Sequence, residues 1–319
     1  MADGARLQFQ SFRIMEKKDL SIFIKSEAKR LGFDICGIAK AEAIPDDVAK
    51  TYGRWIEEER HGTMQYLQRN CDKRFNPTLL VEGCKSIVVV AMNYAPKAPI
   101  EGIASYAIGN DYHKVIKDRL YTLLDSINSI HPIKGRAFCD SAPVLERYWA
   151  VKAGLGWVGT NRQLTIPGKG SHFFLGELLI DAELAYDTPF IGNNCGKCRK
   201  CIEICPTGAL TDNGFDARKC LSYLTIEYRE DLPENIGKKM KKTFYGCDCC
   251  LKACPHNRFA VPNDIPEFKP KEELLDMDCE KWKNLTKEQY NILFKESAVE
   301  RCGYEQLKRN ISALYKDEE

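Results

Sequence analysis

The chain has 319 residues, 44% hydrophobic and 29% charged, with a formal net charge of +2. That length is too great for a lone small electron carrier and supplies a sizeable core, which predicts two or three structural units. The proportions are those of a soluble globular protein, and no window approaches the ~20 apolar residues of a membrane span.

The first 18 residues, MADGARLQFQSFRIMEKK, carry no apolar core, twin-arginine pair or small-residue cleavage site, so the expectation is a cytoplasmic protein. Residues 18–31 then repeat apolar positions at helical spacing, and FDICGIAKA reads as a strand. A second helix is predicted over 44–60, with Pro45 near its start. CKSIVVVAMNYA holds a β-branched run suited to a buried strand. Over 112–130, Val115, Ile116, Leu120, Leu123, Leu124 and Ile127 share one helical face. GRAFC is a further strand, and SAPVLERYWAVKAG reads as a helix opened by Ser-x-Pro and closed by Gly154. LTIPGKGSHFFLGELLI predicts a hairpin turning at Pro167-Gly168-Lys169-Gly170. Residues 263–319 are mainly helical in pattern and acidic, with ten Lys+Arg against fourteen Asp+Glu, which leaves the preceding chain at +6. A mildly basic body permits a nucleic-acid partner without requiring one.

Nine of the fifteen cysteines fall within residues 195–254, which argues for metal rather than a secreted disulfide framework. Cys195-x2-Cys198-x2-Cys201-x3-Cys205-Pro206 has the bacterial ferredoxin spacing, and Cys247-x2-Cys250-x3-Cys254-Pro255 is its partner. A cubane cluster needs four converging thiolates, and in two-cluster modules the fourth cysteine of each run crosses to the other cluster. One 4Fe–4S cluster is therefore predicted on Cys195, Cys198, Cys201 and Cys254, the other on Cys205, Cys220, Cys247 and Cys250. The competing reading is a pair of structural zinc sites, which seldom use a third cysteine followed by x3-Cys-Pro. Cys249 falls inside a C-x2-C pair and reads as a non-ligand. Cys36, Cys71, Cys84, Cys139, Cys279 and Cys302 lack ligand spacing and read as structural thiols.

The fold expected is α+β: an N-terminal α/β domain over 1–190, a two-cluster ferredoxin-like module over 191–262 and a short helical tail over 263–319. The first domain has no G-x-G-x-x-G after a strand, so a nicotinamide site has no support. Its chemistry-bearing segments are Tyr106-x2-Gly109-x-Asp111-Tyr112-His113, then Asp140-Ser141-Ala142-Pro143-Val144-Leu145-Glu146-Arg147, then Gly154-Leu155-Gly156-Trp157-x-Gly159-x-Asn161. Each has a plain structural reading. Asp140 or Ser141 could cap the helix that Pro143 opens, His113 could be a core histidine, and the glycines could only shape a turn. Asp111-x-His113 lacks the glycine of a D-x-H-x-x-G motif, since position 116 is Ile, so His113 is not read as an axial cobalt ligand.

Together and in this order, the segments YAIGNDYHKV, DSAPVLERYWAVKAGLGWVGTN, GSHFFLGELL, CGKCRKCIEICPTGAL, CLSYLTIEYR and GCDCCLKACPHN resemble the epoxyqueuosine reductases. These are cobalamin-dependent iron–sulfur enzymes that end queuosine biosynthesis in tRNA. The resemblance runs from about residue 14 to 257 and implies a reduction of the epoxide of epoxyqueuosine at the wobble base. It implies two 4Fe–4S clusters feeding cobalamin, an external low-potential electron donor, and a monomer with no membrane association. It further implies Asp140 as the proton donor, with Asp111, Tyr112, His113, Ser141, Gly156 and Trp157 as cofactor contacts. Two departures stand out: Gly159-Thr160-Asn161 replaces a Gly-Lys-Asn common in the family, and many members continue into helical repeats that help hold tRNA. The lysine run at 237–242 is read either as a solvated face or as a phosphate contact. The rival readings are a cobalamin and iron–sulfur reductive dehalogenase-like reductase, or an electron-carrier subunit without a substrate.

Overall fold

The computed structural model describes residues 15–316, so most of the N-terminal stretch read above for an export signal lies outside the described residues. At the centre is an antiparallel sheet in the spatial order Ile35–Lys40, Ser86–Asn93, Phe173–Ile180, Gly135–Phe138. Antiparallel strands with helices packed on them make the domain α+β. The run Ser86–Asn93 is buried almost throughout because both sheet faces are covered. Alternation sorts its side chains: Val88, Val90 and Met92 lie under the helices Lys17–Arg30 and Tyr112–Asn128, while Ile87, Val89 and Ala91 face the helix Glu146–Lys152.

Gly176 sets how closely the long helix approaches the sheet. A Cβ there would stand 2.5 Å from Ile116 Cγ2 and 3.0 Å from Leu120 Cδ1, so only glycine fits. The approach lays Tyr112, in the helix's first turn, flat on Phe174 with ring centroids 4.2 Å apart.

Two local expectations are corrected. The helix predicted to open at Pro143 begins at Glu146 with Leu145 as its cap, so neither Asp140 nor Ser141 caps it. The turn at 167–170 forms, closed by a bridge between Ile166 and Gly170, but its arms do not pair as one hairpin. Leu164–Thr165 pairs with Trp157–Val158, and Phe173–Ile180 enters the main sheet. The diverging arms reflect tertiary pairing overriding a local turn signal.

The cysteine-rich segment and the C-terminal helices share one core. The strand Thr243–Tyr245 pairs in parallel with Gly102–Ile103. Trp282, Leu293, Leu307 and Ile311 close over Phe244, with Trp282 edge-on to Phe244 at 4.9 Å. Buried Asn310 donates to the Phe244 and Thr225 carbonyls at 3.0 and 2.8 Å. Trp282 is 0% exposed. Trp282→Ala should therefore cost about 3–5 kcal/mol, read as a lower denaturant midpoint of the whole chain. Among the described residues no helix is long and apolar enough to cross a membrane.

Candidate functional site

The first turn of the helix Tyr112–Asn128 is built by Asp111. Its carboxylate caps the helix by accepting from the His113 amide at 3.0 Å, and the same oxygen lies 2.6 Å from His113 Nδ1. One residue thus starts the helix and fixes the ring proton of its neighbour on Nδ1. His113 Nε2 faces Asp140 Oδ2 at 3.4 Å and Arg301 Nη1 at 3.0 Å. Tyr112 stacks on His113 with centroids 4.0 Å apart and donates its hydroxyl to Asp140 Oδ2 at 2.5 Å.

Asp140 follows the strand Gly135–Phe138 with φ of +54°, a left-handed conformation that costs a non-glycine residue about 1–3 kcal/mol. Its side chain is 58% exposed, so it meets solvent while Tyr112 and His113 flank it. Its amide donates to the Glu146 carboxylate, which explains why the helix starts at Glu146. Behind Glu146 lies Glu177, midway along the central strand and 0% exposed.

These contacts decide where protons reside. Surrounding protein pushes the Asp140 carboxyl up, but the bonds from His113 and Tyr112 outweigh it and hold the group down at about 2. Burial pulls the His113 imidazole down, but Asp111 and Asp140 outweigh this and set it at about 8. The acid expected from the sequence is therefore an anion at rest, because two donors stabilise its charge, and the nearby proton belongs to His113. Burial, then the charge of Asp140, push the Glu146 carboxyl up to about 8, and burial and Glu146 push Glu177 well above the carboxylate range.

His113 gains affinity for its proton on folding, so its ionisation favours the fold below pH 6.5 and this contribution disappears as pH rises through 8. The difference is at most about 2 kcal/mol. Melting temperature should fall across this interval in the wild type, and the fall should shrink in His113→Asn.

The sequence-predicted residues divide into two places. Asp111, Tyr112, His113 and Asp140 come together, with exposed Ser141 beside them. Gly156 and Trp157 lie toward the cysteines instead. A Cβ on Gly156 would meet Thr165 O at 2.1 Å, and buried Trp157 packs edge-on to His256 at 4.9 Å. Arg301, Glu146 and Glu177 were not singled out as site residues. Glu146 lay within a segment already marked for its chemistry, and Glu177 gave a local signal as a carboxylate inside the apolar strand FFLGELLI, whereas Arg301 gave none.

Cys195, Cys198, Cys201 and Cys254 line one cavity of about 120 Å³, with Asn161 and His256 at its rim. Asn161 Nδ2 is buried there without a protein partner, an N–H suited to a cluster sulfur. A Cβ on Gly159 would stand 3.5 Å from Cys195 Sγ, so the departure at Gly159-Thr160-Asn161 lies over this cysteine set. In the other set, burial and then the Cys220 and Cys205 thiols push Cys250 up to about 12. Burial pushes Cys205 up, but the amides of Leu210, Thr207 and Ala209 outweigh it and favour the thiolate a metal needs. Cys249 is hydrogen-bonded to Cys247. Among the described residues no three His, Cys, Asp or Glu side chains converge as a single metal ion requires. A cubane, by contrast, holds its thiolates apart by its own width.

Residues 74–141 match the family described as epoxyqueuosine reductase QueG, DUF1730, and residues 194–257 match the 4Fe-4S double cluster binding domain. An epoxyqueuosine reductase of Leadbetterella byssophila is 45% identical over 300 residues, covering 92% of this chain and 98% of the relative. An epoxyqueuosine reductase solved with an epoxyqueuosine-modified tRNA-Tyr stem loop superposes with a TM-score of 0.83 at 28% identity, covering 93% of this chain and 81% of that one. The Bacillus subtilis enzyme gives 0.82 at 28% identity over the same shares, and was captured with its catalytic aspartate loop swung out of the active site.

Proposed function

The chain belongs to the epoxyqueuosine reductase family, and from that premise we propose how its own residues reduce epoxyqueuosine to queuosine in tRNA. The two cysteine sets hold two 4Fe–4S clusters, the first on Cys195, Cys198, Cys201 and Cys254, the second on Cys205, Cys220, Cys247 and Cys250. The four cysteines that line one cavity and the unpartnered Asn161 amide beside them support the first of these sets. Cobalamin would be held beside Asp140, where His113 offers it no free ring nitrogen. Both ring nitrogens of His113 are engaged, Nδ1 by Asp111 and Nε2 by Arg301 and Asp140. When bound, cobalamin reduced through the clusters supplies the two electrons of the reaction.

The remaining requirement is protons. Converting the epoxide to an alkene and water takes two electrons and two protons, and an alkoxide is a poor leaving group unless it is protonated. Asp140 is exposed with His113 behind it, so Asp140 Oδ2 passes a proton to the substrate oxygen, His113 is the neighbouring store that refills it, and solvent supplies the second proton. Substrate bound over Asp140 excludes water from it, which raises its proton affinity toward what the transfer needs. Tyr112 keeps the carboxylate aimed, and Asp111 keeps the imidazole oriented. The observation carrying this reading is the convergence of Tyr112, His113 and the left-handed Asp140 on one oxygen.

The exposed lysines 238, 239, 241 and 242 form a basic edge suited to tRNA phosphates. An external low-potential donor charges the clusters, and the protein acts as a cytoplasmic monomer. Anaerobic reconstitution with iron, sulfide and cobalamin, followed by assay on epoxyqueuosine-containing tRNA, should yield queuosine. Organohalide turnover without epoxide reduction would instead favour the dehalogenase-like reading, and failure to bind either cobalamin or tRNA the electron carrier.

A further inference from the structure

Glu146 and Glu177 have no part in the proton path from His113 through Asp140, yet they occupy a costly position. Glu177 sits at the centre of the sheet, opposite Val89 on one side and Phe138 on the other. It alternates with Leu175 and Leu179 toward the face that packs Trp149 and Ala150. A carboxyl in that setting weakens the core unless something else requires it. Its neighbour is Glu146, and Glu146 in turn receives the amide of Asp140. That amide belongs to a residue held in left-handed backbone, where the chain would relax if released.

We propose that Glu146 is a positioning residue that latches Asp140 in its left-handed conformation through its amide, and that Glu177 is the buried acid that keeps Glu146 in place by sharing one proton with it. Both Glu177 oxygens are buried and accept no N–H or O–H from the rest of the described residues. Two adjacent carboxylates in such an apolar setting do not both ionise, so the pair carries a single proton. The upward push on both groups agrees with this. The charged and titratable groups facing the pair are Asp140, Cys139 and Arg147. Removing the shared proton would set two like charges against each other beside Asp140, and the only member free to move is Glu146, at the start of a helix. Its departure would unlatch the Asp140 loop. The inference rests on the reading of Asp140 as the group that delivers the proton.

The test compares fully reconstituted Glu146→Ala, Glu146→Gln, Glu177→Gln and Asp140→Asn enzymes on epoxyqueuosine-containing tRNA. Glu146→Ala should lose about 10²-fold in kcat, the cost of a small misplacement of a reacting group, with KM for tRNA, iron content and cobalamin content unchanged. Glu146→Gln retains an oxygen that accepts the Asp140 amide and should recover turnover to within about tenfold of wild type. The alkaline fall in kcat should be steeper by one proton in the wild type than in Glu177→Gln, a difference that a purely packing role would not produce. Wild-type kcat in Glu146→Ala, or equal damage in the Ala and Gln variants, would overturn the latch. Should Glu146→Ala fail to fold, identical alkaline limbs in wild type and Glu177→Gln would overturn it instead. Asp140→Asn separates the two levels: full activity there removes the reading of Asp140, whereas an inactive Asp140→Asn beside an unimpaired Glu146→Ala removes the latch alone.

Discussion

Asp140→Asn enzyme should retain both clusters, cobalamin and tRNA affinity while losing about 10²–10⁴-fold in turnover, the range ascribed to a positioned general acid. The amide is the same size as the carboxyl and still accepts from Tyr112, so the left-handed turn and the Glu146 contact survive. What the variant lacks is a group that takes a proton from His113 and passes it on. The loss should appear in kcat rather than KM, because Asp140, exposed and held by Tyr112, serves the reaction more than binding. Single-turnover kinetics with pre-reduced enzyme is the decisive measurement. Unchanged rates would show that the epoxide oxygen obtains its proton from elsewhere.

Cys254→Ser should abolish turnover and reduce bound iron by about half, removing one of the two clusters. The informative point is which one. Cys254 follows Cys247 and Cys250 in sequence, yet lines the cavity of Cys195, Cys198 and Cys201. Its loss should therefore abolish the same low-temperature electron paramagnetic resonance signal as Cys198→Ser, and leave the signal that Cys250→Ser removes. The reverse pattern would show that the ligand sets do not cross. On the proposed electron route through both clusters, either loss should stop electron delivery even though Asp140 and His113 are untouched.

That Cys254 would meet Cys195, Cys198 and Cys201 around one cavity was legible in the sequence, because tight loops bring three cysteines together and the crossing rule supplies the fourth. The separate strands and helices of the first domain were legible from periodicity, but not their order in the sheet. Asp140 could be located by its segment, but not its charge, which depends on donors from a helix that begins 28 residues earlier. The helix after it starts three residues later than the Pro143 signal indicates. Glu146 is its first residue and holds Asp140, a tertiary demand that no local cap encodes. Arg301 was the least legible. It lies 188 residues from His113, and no pattern in either segment points to the other.

The placement of Arg301 carries a consequence for how the enzyme comes into being. Glu296 accepts the Asp111 amide and Arg301 meets His113, so the proton-handling corner is finished by the end of the chain. All eight cysteines precede both residues. The segment that carries these cysteines shares its core with the same C-terminal helices, Trp282 and Ile311 closing over Phe244 beside Cys247. One late stretch of polypeptide thus closes both the electron-carrying module and the corner where the proton is held, and a chain cut short before residue 282 should lose both together.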